Sequence, residues 1–130
     1  MSATKADLIL YRLQRAKDTY LDAQILAENN RWNSVINRLY YAAYYVISAL
    51  LLKFDHSPMT HSGVKTLFSV HFIKTGIVPE EYGKMFSQLF LWRQKGDYDD
   101  LFDFDEERVS IYFEPVKKLI EMVEIQIINE

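Results

Sequence analysis

Apolar residues along this chain fall into five stretches in which the spacing alternates between three and four. Residues 6–28 carry Ile9, Leu13, Ala16, Tyr20, Ala23 and Ala27 on one line, the pattern of a helix with one buried face. Asn29-Asn30 predicts its end. Residues 31–53 follow with Trp32, Ile36, Leu39, Ala43, Val46 and Leu50. At ~1.5 Å per residue this second helix is about 34 Å long. From Leu39 onward it is apolar nearly all round, which predicts the central element of the fold. After Asp55-His56-Ser57-Pro58, Thr60 is the expected cap of a third helix reaching Lys74, with Val64, Leu67, Phe68, His71 and Phe72 inward. Gly76-Ile77-Val78-Pro79 breaks the chain, and Pro79, Glu80 and Glu81 suit the first turn of a fourth helix. Its stripe is Tyr82, Phe86, Leu89 and then Arg93, and Gly96 is its expected stop. A loop from Gly96 to Phe102 leads to Asp103 and Glu106, which read as a capping box for the last helix. That helix carries Val109, Tyr112, Val116, Leu119, Val123 and Ile127, and Pro115 predicts a kink, or a short break near Phe113. Strand-type alternation is nowhere sustained, so the fold class is all-α, with short loops that predict antiparallel neighbours.

Composition narrows the function classes. The 130 residues suit one domain, 1–130. Fifteen Lys and Arg against eighteen Asp and Glu give a net charge of −3, which excludes coating of nucleic acid through bulk charge but not a local basic pocket. The absence of cysteine excludes disulfides, thiolate metal sites and cysteine nucleophiles, and it fits a reducing compartment. The N-terminal residues Met1 to Asp7 hold no apolar signal core. The longest uncharged run, Leu39 to Leu52, is well short of the ~20 residues that span a bilayer. A soluble, cytoplasmic protein with no membrane partner is expected.

Candidate chemistry gathers at three places. Arg38 and Arg93 stand where apolar residues would be expected, Arg38 within the central helix and Arg93 on the fourth stripe. An arginine withdrawn from water needs a planar acceptor or an anion. Asp97, four residues past Arg93, offers a structural ion pair; the alternative is a pocket in which the guanidinium fork holds a phosphate or a partner's carboxylate. Tyr40-Tyr41-Ala42-Ala43-Tyr44-Tyr45 points hydroxyls all round the second helix. Some of these rings must be core, and others can line a groove; Tyr41 and Tyr45 share a face with Arg38. Thr60-His61-Ser62-Gly63 places an imidazole beside the free N–H groups of a helix start, which is either an anion site or a plain capping turn. His56 and His71 have no ligand-spaced partner, and the acidic run Asp99, Asp100, Asp103 and Asp105 lacks the calcium-loop spacing, so no metal and no cofactor is expected.

The segments Asn37-Arg38-Leu39-Tyr40-Tyr41-Ala42-Ala43-Tyr44, Thr60-His61-Ser62-Gly63 and Arg93-Gln94-Lys95-Gly96-Asp97-Tyr98 occur in this order. Together they resemble the HEPN-domain proteins, in particular the stand-alone prokaryotic branch with a tyrosine-rich second helix. The likeness runs roughly from residue 6 to residue 126. It implies an up-and-down bundle of four to five helices, commonly a homodimer. It also implies a minimal nucleotidyltransferase as partner in a toxin–antitoxin-like pair. Many HEPN proteins are metal-independent ribonucleases whose signature is an arginine followed, four to six residues on, by a histidine. Arg93 matches the arginine, whereas Asp97 and Tyr98 occupy the region of the histidine and no histidine follows His71. Whether this chain is an enzyme is therefore left open, with Arg93 and His61 as catalytic candidates.

Three readings follow. In the first, Arg38, Tyr41, Tyr45, His61, Arg93, Asp97 and Tyr98 line one cleft for a nucleotide phosphate or a partner nucleotidyltransferase, with Tyr98 a candidate for nucleotidylation. In the second, the protein is an endoribonuclease toxin in which Arg93 stabilises the pentacovalent phosphate and His61 replaces the missing base. In the third, the cluster fixes a structural dimer, for which Phe90, Leu91 and Trp92 offer an apolar surface.

Overall fold

The structure is a computed structural model and describes residues 3–98 and 102–129, with the backbone alone at 97 and 98. Six helices are present among them: α1 (Lys5–Glu28), α2 (Trp32–Lys53), α3 (His61–Phe68), α4 (Glu80–Tyr98), α5 (Glu106–Val109) and α6 (Phe113–Ile128). Among the described residues there is no strand.

α1 begins in a reciprocal cap. The Thr4 hydroxyl accepts from the Asp7 N–H at 3.1 Å and the Asp7 carboxylate accepts from the Thr4 N–H at 3.1 Å, which satisfies two donors left over at the helix start. These hydrogen bonds, the backbone one first, hold the Asp7 carboxyl below its usual range. The turn after α1 passes through Asn30, which takes a left-handed φ of 57°, a conformation asparagine tolerates. α1 and α2 then run antiparallel. Lys5 bonds Asp55 at 2.7 Å, Arg12 donates to the Ser48 carbonyl at 3.2 Å and Arg15 to the Tyr45 hydroxyl at 2.9 Å, so numbers rise along one helix as they fall along the other.

α2 is the axis of the molecule. Leu39, Tyr40, Ile47, Leu50 and Leu51 are fully enclosed by Phe68, Phe86, Leu89 and Leu119 from the surrounding helices. Each such side chain contributes about 1.5–3 kcal/mol by leaving water. By length and composition α2 could cross a bilayer, but 67% of its apolar window is buried inside the protein, the state of a core helix. Tyr40 lies flat on Phe86 at 5.6 Å, and Phe86 meets Phe68 edge-on at 6.0 Å.

Three boundaries differ from the sequence pattern. The third helix does reach Ile73, but from Ser69 it widens into a π turn (Ser69–Ile73). Its inner residues Val64, Phe68 and Phe72 stay buried through that change. Gly96 does not stop α4, which runs on to Tyr98. The glycine instead makes room: a Cβ there would stand 2.9 Å from the Phe104 ring. The last helical stretch is capped by Asp105, which accepts from the Arg108 N–H at 2.9 Å, while Asp103 accepts from the Asn33 side-chain amide at 3.0 Å. A 3-10 turn (Ser110–Tyr112) separates α5 from α6. This is the short break expected beside Pro115, which sits in the first turn of α6 where a missing N–H leaves no bond unmade.

Candidate functional site

Arg93 projects from the last turns of α4 across the tyrosines of α2. Its guanidinium lies 4.9 Å from the Tyr40 ring centre and 5.8 Å from that of Tyr41, and it donates to the Tyr41 hydroxyl at 3.4 Å. Arg38, one turn earlier on α2, lies 5.1 Å from the same Tyr41 ring. Two cations from two helices therefore lie against one tyrosine ring. A ring quadrupole attracts a guanidinium, and the attraction grows as water is removed.

Arg38 is held by a fork. Its Nε and one terminal nitrogen donate to the Asn37 side-chain oxygen at 3.1 and 2.7 Å. The planar acceptor that Arg38 needs is thus the side-chain amide of its neighbour. That acceptor is neutral, so the fork orients the guanidinium without cancelling its charge.

His61 enters from the first turn of α3, where Thr60 caps the helix by accepting from the Gly63 N–H at 2.9 Å. The imidazole stacks on Tyr44 at 4.5 Å and meets Tyr41 edge-on at 5.8 Å. Its Nδ1 shares a 2.8 Å hydrogen bond with the Tyr40 hydroxyl. Burial, and then the charge of Arg93, lower its pKa from the ordinary 6.5. The neutral imidazole is therefore the dominant form at neutral pH. Burial raises the Tyr40 phenol far above its ordinary value, so it keeps its proton. That proton needs an acceptor, and Nδ1 is the one His61 provides. The neutral ring then carries its own proton on Nε2 and presents an N–H donor.

The remaining expected residues divide. Tyr45 lies 6.0 Å from Tyr41, one step along the same strip, but its own cation is Arg15 of α1, 4.9 Å from the ring centre. The side chains of Asp97 and Tyr98 lie outside the described residues, so the Arg93–Asp97 pair is not part of the described geometry. Asp99 and Asp100 lie outside them altogether. Four contributors escaped the sequence reading as site residues: Tyr40, Tyr44, Asn37 and Arg15. Tyr44 was legible in principle, being four residues past Tyr40 and hence on its side of α2. Arg15 was not, since nothing in sequence ties α1 to Tyr45.

Among the described residues no three His, Cys, Asp or Glu side chains gather as a metal site. His56 and His71, which have no ligand-spaced partner in the sequence, are stacked on each other at 4.2 Å by the folding of the α2–α3 loop onto the π turn. The apolar trio on α4 is also divided. Trp92 packs on Phe104 at 5.4 Å and on Tyr112 at 5.3 Å, Phe90 is half-buried against the core, and Leu91 is exposed.

Comparison with known proteins places this geometry in context. The sequence profile of the HEPN domain matches residues 9–126. A Thermotoga maritima protein named "UPF0332 protein" is 39% identical over 120 residues, covering 92% of this chain and 91% of its own. A Methanocaldococcus jannaschii protein named "Putative toxin MJ0605" is 32% identical over 102 residues, covering 78% of this chain and 76% of its own. A second protein of that organism, "Putative toxin MJ0142", is 28% identical over 98 residues, covering 75% and 67%.

Proposed function

Since this chain belongs to the HEPN domain family, we propose that its arginine–histidine–tyrosine cleft binds the phosphate of a nucleotide or of RNA, and that the protein is the toxin-like member of a two-component pair. The observation that carries the reading is the position of Arg38 and Arg93, 5.1 and 5.8 Å from the centre of one Tyr41 ring. A fork fixed by Asn37 and a second guanidinium fixed by two rings form a preorganised anion site. His61 adds an N–H donor to it. The names of the two Methanocaldococcus jannaschii relatives support the toxin-like part.

The reading includes a protein partner in the cytoplasm: a second copy of this chain, a minimal nucleotidyltransferase, or both. Light scattering of the purified chain tests the first. Co-purification with a co-expressed minimal nucleotidyltransferase tests the second, and mass spectrometry of Tyr98 after incubation with that enzyme and a nucleoside triphosphate tests nucleotidylation.

One observation favours a second reading, a metal-independent endoribonuclease. An imidazole kept neutral beside a guanidinium is the pairing that proton transfer at a phosphodiester requires. For His61 to act as base at Nε2, however, the proton must move to Nδ1 and the Tyr40 hydroxyl must find another acceptor. The binding reading needs no such rearrangement.

Calorimetry with adenosine monophosphate and with inorganic phosphate tests the proposal. Arg93→Lys keeps the charge and loses the fork, and should weaken nucleotide binding about tenfold. Arg38→Ala should weaken it similarly. Unchanged affinity in both variants would overturn the cleft. Cleavage of RNA by the wild type, abolished in Arg93→Lys and His61→Asn, would move the function to the second reading. If neither phosphate, nucleotide nor RNA binds, the cluster is a packing device of the fold.

A further inference from the structure

Between α3 and α4 lies a groove with none of the cleft tyrosines in its lining. One wall is α3 with the π turn, at Lys65, Ser69 and Ile73, and the other is α4, at Ser87 and Leu91. The groove holds about 650 Å³. A hollow of about 250 Å³ adjoins it, sharing Lys65, Ser69 and Ser87 and reaching Val70 and Lys74. Glu80 and Gln94 both line the groove, which therefore follows α4 for about 21 Å.

Floor, edges and rim differ in chemistry. Phe68 and Phe86 form a buried floor, and Phe90 is half-buried beside them. Leu91 on α4 and Val70 on the π turn are 47% and 42% exposed, one apolar side chain on each wall. The rim is cationic. Lys65 holds its ammonium 5.1 Å from the Phe90 ring centre, and Lys74 and Lys84 stand exposed along the same opening. Against these three lysines the lining has one carboxylate, Glu80, which is engaged by Lys84 at 3.6 Å. Among the described residues no carboxylate pairs with Lys65 or Lys74. This positive rim belongs to a chain whose net charge is −3.

The walls decide what form of chain fits. Both are helical, so their backbone N–H and C=O groups are already engaged; in the π turn the Lys74 N–H reaches the Ser69 carbonyl at 2.9 Å. An extended peptide would find no ladder of partners there, whereas a helix brings its own hydrogen bonds. A nucleic acid would find no free ring to stack on, because Phe68 and Phe86 are buried and Phe90 is covered by Lys65. We infer that the groove docks an amphipathic helix of a second protein, with aliphatic side chains laid between Leu91 and Val70 and Asp or Glu on its flanks facing Lys65, Lys74 and Lys84. Charge complementarity selects an acidic helix and steers its approach. The docking face serves the protein partner of the functional reading, rests on that part alone, and makes no use of the phosphate cleft.

The probe is a blocked peptide of about fourteen residues, matched to the groove, with leucine at steps of three and four and glutamate between. Alone it is too short to form a stable helix, so circular dichroism follows its helicity as protein is added. The wild type should fold this peptide and bind it about tenfold more tightly than a control with lysine in place of glutamate, and salt should weaken the binding. Ser87→Trp fills the groove from an exposed position and should abolish binding. Lys65→Glu combined with Lys84→Glu should reverse the preference between the two peptides. Both variants should keep the wild-type affinity for adenosine monophosphate. Absence of peptide binding, or binding that Ser87→Trp retains, overturns the docking groove and leaves the phosphate cleft standing. Self-association or RNA binding that Ser87→Trp removes and the acidic peptide does not compete with gives the groove to a second copy or to RNA, and overturns the partner helix. A wild type that binds the acidic peptide but no nucleotide keeps the groove and overturns the cleft.

Discussion

The hydroxyl of Tyr40 and Nδ1 of His61 are joined at 2.8 Å across the seam between α2 and α3. This contact fixes the position of the imidazole and which ring nitrogen accepts, beside the burial and the Arg93 charge that lower its pKa. Tyr40→Phe removes the donor that stabilises the neutral ring. The pKa of His61 should rise in this variant, toward the ordinary 6.5, as followed by the imidazole proton signals against pH. Stability should fall by about 1 kcal/mol or less, because water can reach the freed nitrogen. An unchanged titration would remove the phenol from the control of His61.

Acidification should destabilise the fold through the same residue. The pKa of His61 is lower folded than unfolded, so the unfolded state binds its proton first. Its contribution is intact above pH 6.5, the ordinary value, and is lost as pH falls through the lowered one. Thermal melting from pH 8 to 5 should show a decline that is shallower in His61→Phe. Asp7 and Asp55, both lowered by hydrogen bonds to Thr4 and Lys5, act further down the scale and do not confuse this window. A bound anion should raise the pKa of His61, so saturating phosphate should shift the imidazole titration upward.

Gly96→Ala should reduce stability although it places a better helix former inside α4. The propensity gain is about 1 kcal/mol. Against it stands the new Cβ, 2.9 Å from the ring of a buried Phe104, and overpacking of this kind costs about 1–3 kcal/mol. Denaturant unfolding of Gly96→Ala with and without Phe104→Leu should give strongly non-additive changes. Additivity would mean that the approach of the two residues does not matter.

Leu39→Ala should be among the most damaging single changes outside the cleft. Leu39 is completely enclosed at the centre of α2, and truncation there removes transfer free energy and leaves a void, together about 2–5 kcal/mol. A loss under 1 kcal/mol in denaturant unfolding would show that the core collapses around the gap.

Most of the fold was legible because it rests on periodicity. The stripes of Ile9 to Ala23, Ile36 to Leu50 and Val116 to Val123 are the buried lines of α1, α2 and α6. The errors arose where tertiary contact overrides local preference. Gly96 reads as a stop, but its lack of a side chain serves Phe104. Asp103 reads as a cap, but Asn33, 70 residues away in sequence, claims it and leaves the cap to Asp105. The site was legible in part. Arg38, Tyr41, His61 and Arg93 announced themselves as polar groups on apolar lines. Arg15 and Asn37 did not, because a surface arginine and an amide beside an arginine look the same whether or not the fold aims them.

The widened turn from Ser69 to Ile73 holds one more residue per turn than the helix leading into it. One extra amino acid in an unbroken α-helix would swing everything upstream by about 100° relative to α4, whereas the wide turn takes the residue up within itself. The imidazole at the start of α3 therefore keeps its heading. The slack in this short stretch, rather than the identity of its side chains, thus lets His61 face the guanidinium it was folded to meet.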